Sequence, residues 1–191
     1  MLRITSQYTR AYQVLDKFKR YVVQQSKSNL TKGNHNASSA LYGSIKGYIN
    51  KRQKRSLAGK FTGGSSMPSL SFEMNSYGEF LDKGVQGSKS NYIKNRNTPY
   101  KFGRNGDKKS VPVEPIRKWV QSKGLDAGSE YAIAKSIYQK GIEKTSFFSK
   151  PFDKRFKSTM NLYHRAIAND IANNIANQLA KKLRQKNKLK K

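Results

Sequence analysis

Between Phe152 and Leu183 apolar side chains recur every three or four residues, at Phe152, Phe156, Met160, Tyr163, Ile167, Ile171, Ile175, Leu179 and Leu183, with neither Gly nor Pro among them. That period is one face of an α-helix. Ser149 stands where an N-cap belongs, and Pro151 falls in the first turn, where a missing N–H costs nothing. At ~1.5 Å per residue the helix runs roughly 45 Å, further than the core of a small domain reaches. Whatever this chain folds into must therefore cover the helix in part or leave some of it to a partner. A second stripe, Ala168, Ala172, Ala176 and Ala180, lets another helix approach closely. It fits packing within the domain or a subunit interface equally well.

The rest of the chain is bounded by charge. Among 191 residues, Lys and Arg number 39 against 11 Asp and Glu, a formal net charge of +28. Such an excess repels itself unless anions sit close, and nucleic acid is the obvious polyanion. Hydrophobic residues at 35% and aromatics at 11% support a folded centre, while a mean hydropathy of −0.85 points to solvated extensions. No run approaches the ~18 apolar residues of a membrane span, and MLRITSQYTRAY lacks the apolar core of a signal peptide. We therefore expect no membrane partner. The absence of cysteine excludes disulfides and thiolate metal sites.

Local patterning predicts an α+β fold: a small antiparallel sheet packed with several helices, a long C-terminal helix and a basic loop insertion. Tyr8, Ala11, Tyr12, Leu15, Phe18 and Val22 predict a helix over 6–28, and Leu41, Ile45, Tyr48 and Ile49 a second one. The Gly, Ser and Lys of 56–66 read as a loop or an irregular strand. SLSFEMN alternates Leu70, Phe72 and Met74 with polar neighbours, which is strand period, and YGEFLDKG reads as a short helix ended by Gly84. VPVEPIRKWVQSKGL predicts a helix that turns Ile116, Trp119 and Val120 inward and stops at Gly124. Ser129 is placed to cap the next helix, Gly141 to end it, and Phe147 with Phe148 to form a short strand. The expected organisation is an N-terminal helix over 1–33, an α+β core over 34–156 with an insertion at 86–110, and a long helix with a basic tail over 152–191.

No catalytic or metal-ligating constellation emerges, and no cofactor is implied. His35 and His164 are isolated, with no HxxxH or HExxH spacing, and GSIKG and GRNG lack the strand, helix and GK[ST] ending of a phosphate loop. Glu79, Asp82 and Lys83 mimic a two-carboxylate magnesium site, but Phe80 and Leu81 between them make an amphipathic helix the simpler account. The insertion is richer. Lys89, Lys94, Arg96, Lys101, Arg104, Lys108 and Lys109 stand there against the single acid Asp107, interleaved with Tyr92, Tyr100 and Phe102. That mixture neutralises phosphates and offers faces for stacking, and it suits a nucleic-acid contact or a clasp on a neighbouring protein.

Three segments in order, SFEMNSYGEFLDKGVQG, PIRKWVQSKGL and AIAKSIYQKGIEKTSFFSKPF, resemble the minor tail or tail-completion proteins of tailed bacteriophages, which join head to tail. The resemblance covers roughly residues 36–156. It rests on a strand leading into a turn with Tyr77, Phe80, Asp82, Lys83 and Gly84, and on a helix ending at Gly141 before Phe147, Phe148, Pro151 and Phe152. The long insertion, the C-terminal helix and the net charge depart from a compact family member. The resemblance implies a structural, non-enzymatic virion protein, a neck subunit assembling into a homo-oligomeric ring around the DNA channel. Its implied partners are other neck, portal-proximal or tail proteins and the packaged DNA, and its implied locations are the virion and, during assembly, the host cytoplasm. A free, non-specific nucleic-acid-binding protein is the alternative.

Overall fold

The computed structural model describes residues 8–33, 39–50, 53–55, 61–65, 67–89, 97–103 and 111–188. It shows an α+β fold with α1 (Thr9–Lys32), α2 (Ala40–Ser44), β1 (Lys46–Asn50), β2 (Gln53–Arg55), β3 (Phe61–Ser65), β4 (Ser69–Glu73), α3 (Tyr77–Lys83), β5 (Val85–Gln86), α4 (Val113–Ser122), α5 (Ser129–Lys140), β6 (Gly141–Ile142) and α6 (Ser149–Lys188). Among the described residues the strands form three two-stranded ladders rather than one small sheet: β1 with β4, β2 antiparallel to β3, and β5 antiparallel to β6. Strands of two to five residues are too short to hold a common hydrophobic face.

The chain gathers into two compact units, each discontinuous in sequence: Met1–Val23, Gly47–Phe72 and Phe152–Lys191 make one, and Gln24–Lys46 with Glu73–Pro151 the other. In the first unit Ala11, Leu15, Phe18 and Val22 form the buried stripe of α1. Phe18 meets Phe72 of β4 and Phe152 of α6 with ring centroids 6.2 and 5.5 Å apart, and Phe72 and Phe152 are 6.0 Å apart. Edge-on and tilted rings at these distances are favourable aromatic geometry. Asp170, only 6% exposed, accepts the backbone N–H groups of Arg10 and Ala11 at 3.0 Å each. It serves α1 as a cap supplied from another helix.

The predicted second helix is corrected. Only Ala40–Ser44 is helical, and Lys46–Asn50 is a strand. Gly43 and Gly47 weaken a helix, Tyr48 and Ile49 favour a pleated surface, and β4 supplies the backbone partners. Gly47 also fits where a Cβ would stand 2.5 Å from Lys19 Cγ and 3.2 Å from Phe72 Cε1.

In the second unit the buried apolar side chains are Leu30, Leu41, Ile45, Val85, Val120, Ala134 and Phe147. Val120 faces the interior as expected, whereas Trp119 is 38% exposed. The predicted helices over YGEFLDKG and VPVEPIRKWV form, and Gly84, Gly124 and Gly141 all take positive φ. The helix-starting serines are not the caps that the pattern suggested. Gly128 precedes α5 at φ 96°, and the Ser129 hydroxyl donates to the Asp126 carbonyl at 2.7 Å. The first amides of α6 are held instead by Asp82, whose Oδ1 accepts from Phe148 N at 2.7 Å and Ser149 N at 3.1 Å. Phe147 and Phe148 lie in a turn rather than a strand, while β6 begins directly at Gly141. At 40 residues, α6 is longer than the apolar repeat alone suggested, ~60 Å at the standard rise.

Candidate functional site

The described part of the basic insertion is docked rather than free. Gln86 donates its N–H to the Tyr100 carbonyl at 2.9 Å and accepts from Phe102 N at 3.0 Å, so 100–102 pairs in parallel with β5 on the side away from β6. Ser88 and Lys89 donate backbone N–H groups to the Tyr138 and Gln139 carbonyls at the end of α5. The Thr98 hydroxyl donates to the Gly84 carbonyl at 2.7 Å. Gly87 and Gly141 make this close crossing possible: a Cβ at Gly87 would lie 2.1 Å from the Gln139 carbonyl oxygen, and one at Gly141 2.2 Å from that of Val85.

This docking uses the aromatic residues. Tyr100 packs edge-on against Phe80 at 4.7 Å, and Phe102 lies 5.9 Å from Tyr138. Both side chains, which the sequence offered as stacking faces for bases, hold the segment to the unit instead. Lys89 and Lys101 are exposed, as a phosphate contact requires. Lys94, Arg96, Arg104, Lys108 and Lys109, with Tyr92, lie outside the described residues.

Between α3 and the docked segment opens an apolar cleft of about 690 Å³, walled by Tyr77, Phe80, Val85, Tyr100, Phe102 and Ile142. Sequence reasoning missed it, because it exists only once 100–102 is laid beside β5. At its edge Lys83 reaches Glu79 at 2.6 Å and lies 5.9 Å from the Tyr100 ring. The Lys83 ammonium, followed by a hydrogen bond from Tyr100, holds the Glu79 carboxyl below the usual glutamate range. The same hydrogen bond to Glu79 pushes the Tyr100 hydroxyl up.

The magnesium-site mimic comes apart at these residues. Glu79 turns outward to Lys83 and Tyr100, while Asp82, 5% exposed, is committed to the start of α6. Neighbouring carboxylates on a short helix are here aimed at different partners. Among the described residues no group of three His, Cys, Asp or Glu side chains stands close enough to hold a metal ion, and no helix is long and apolar enough to cross a membrane.

Ala168, Ala172, Ala176 and Ala180 are all exposed. The side chains that bury the outer length of α6 are Thr159, Ala166 and Asp170, with Tyr163 donating its hydroxyl to the Pro68 carbonyl. Burial raises the Tyr163 hydroxyl above the usual tyrosine range. The Asp170 cap was legible in principle, since one acid sits at the edge of an otherwise acid-free helical half. Comparison with known proteins finds no family model, no curated protein and no solved structure that matches the chain.

Proposed function

We propose that the chain is a structural subunit of a tailed-bacteriophage neck, a tail-completion type protein that assembles into a homo-oligomeric ring at the head-to-tail joint and works without catalysis. The observation that carries this reading is α6, a helix of 40 residues whose far half exposes Ile175, Leu179 and Leu183 at 54, 56 and 63%. A chain that leaves so much apolar helix uncovered is suited to assembly. The glycine-dependent crossing of β5, β6 and the end of α5 supplies a rigid element in the segments that carry the resemblance. Neighbouring neck, portal-proximal or tail proteins are the natural partners of α6. Packaged DNA is the natural partner of Lys89, Lys101 and the other cations of 86–110. A ring requires heterologous contacts, the same two different patches meeting around a cycle.

The experiment is mass spectrometry of purified particles. Presence at a fixed, stoichiometric copy number is expected, and absence from particles overturns the reading. The second reading, a free nucleic-acid-binding protein, is favoured by the +28 net charge. It loses support from the packing of Tyr100 and Phe102 against Phe80 and Tyr138, which takes two stacking platforms away from a nucleic acid.

A further inference from the structure

Ile175, Leu179 and Leu183 of α6 do not continue the face on which the helix packs. At ~100° per residue, Leu179 is turned about half a turn from the buried Asp170, and Ala172 about as far in the same sense. Ala168, Ala172 and Ala176, with Ile175, Leu179 and Leu183, thus form an arc directed away from the side that Thr159, Ala166 and Asp170 bury, whereas Ala180 lies back toward the Ala166 side. The helix has two faces with two destinations.

We propose that this outward arc docks an amphipathic helix of a different protein, one whose flanks are acidic. The inference rests on the assembly reading in requiring a partner for α6, and it specifies which kind. Charge decides against the same arm of a second copy. Lys182 and Lys186 are exposed along the arc, and Asp170, the last acid in the sequence, is buried on the other side beneath α1. Pairing two such arms brings both sets of cations together with no carboxylate among them, and like charges across a helix pair select against that partner. Lys182 and Lys186 sit seven and eleven residues beyond Ile175, on its own side of the helix, so a carboxylate is wanted at the edge of the apolar seam.

The small residues decide the rest. Ala168, Ala172 and Ala176 offer little area to lipid but let a helix backbone come close, with Ile175, Leu179 and Leu183 as the knobs beside them. Nucleic acid would meet the cations and leave these three side chains in water.

The test uses the full chain and a defined probe: a synthetic helix of about four heptads with Leu and Ala on one face and Glu elsewhere, beside a twin with Gln for every Glu. Fluorescence anisotropy is expected to show the Glu helix binding at least about tenfold tighter than the Gln twin, and Ala176→Trp weakening it by a similar factor. Because Ala176 is exposed, the variant should melt like the parent, which separates impaired docking from impaired folding. Failure to bind the Glu helix, equal affinity for the twins, or indifference to Ala176→Trp overturns the proposal. So does a dimer in sedimentation that Ala176→Trp dissociates, which makes the occupant a second copy. So does binding to phosphatidylserine vesicles that Leu179→Asn abolishes and Ala176→Trp spares, which makes it a lipid surface. A chain found in particles that ignores the Glu helix refutes this inference and leaves the assembly reading standing; a chain absent from particles that binds it does the reverse.

Discussion

Single residues here act mainly through backbone groups that have nowhere else to go. Asp82 holds two part-buried amides at the start of α6, and its removal leaves both donors without their acceptor. Asp82→Ala is expected to cost about 1–3 kcal/mol of stability, measured by urea denaturation, without altering any nucleic-acid affinity. Gly141 takes φ 89° and faces the Val85 carbonyl, whereas Gly124 takes φ 64° with open space around it. A side chain is strained at both, but only at the first does it also meet atoms. Gly124→Ala should therefore cost about 1 kcal/mol and Gly141→Ala clearly more, so equal melting temperatures would refute the β5 to β6 crossing. Ser26 is fully buried on the inward face of α1, and its hydroxyl has no hydrogen-bond partner among the described residues. Ser26→Ala should leave the melting temperature unchanged or raise it, since an unpaired buried hydroxyl contributes only a desolvation cost.

At the scale of elements, the helices are tied by carboxylates rather than by sheet. Asp170 does for the first turn of α1 what Asp82 does for α6. The α4 to α5 turn is organised by Glu130, which accepts from Gly128 N at 2.8 Å and from Arg117 Nε at 3.3 Å. Its own backbone N–H, then that of Gly128, then Arg117 hold the carboxyl below the ordinary glutamate value. A depressed folded pKa means stability that is complete above the unfolded value, near pH ~4.3, and that fades as pH falls through the folded one. Glu130→Gln should thus lower the melting temperature at neutral pH, with the difference from the parent closing as pH drops below about 4. A gap that stays constant across that window would show that the carboxylate charge is not what holds the turn.

For the whole molecule, the dominant quantity is the excess of cations. If Lys94, Arg96, Lys101 and Arg104 meet DNA, replacing the four with Gln should flatten the salt dependence of DNA affinity by about 0.9 in logarithmic slope for each phosphate no longer neutralised. Sequence of the DNA should matter little. Lys101 is the informative single site, because its exposed side chain sits on a segment whose backbone is fixed beside β5. Lys101→Gln should change the slope without shifting the melting temperature; an unchanged slope in the quadruple variant removes these residues from any DNA-facing role and leaves the clasp on a protein neighbour.

The sequence by itself determined the helices whose apolar residues keep one helical face and the turns that only glycine fits: α1, α3, α4, α5 and α6, with positive φ at Gly84, Gly124 and Gly141. These are local properties, set by side-chain spacing along one helix face and by the steric cost of a Cβ at positive φ. It failed at Tyr48 and Ile49, which keep helical spacing yet lie in β1, because β4 offered backbone partners that no local pattern reveals. The same cause hid the cap from Asp82 and the apolar cleft, each joining residues remote in the chain. The tertiary structure also decided which face of α6 is spent. Periodicity marks more than one as apolar, but only the packing that buries Thr159, Ala166 and Asp170 leaves Ile175, Leu179 and Leu183 in water, since burial is a relation between elements and not a property of either.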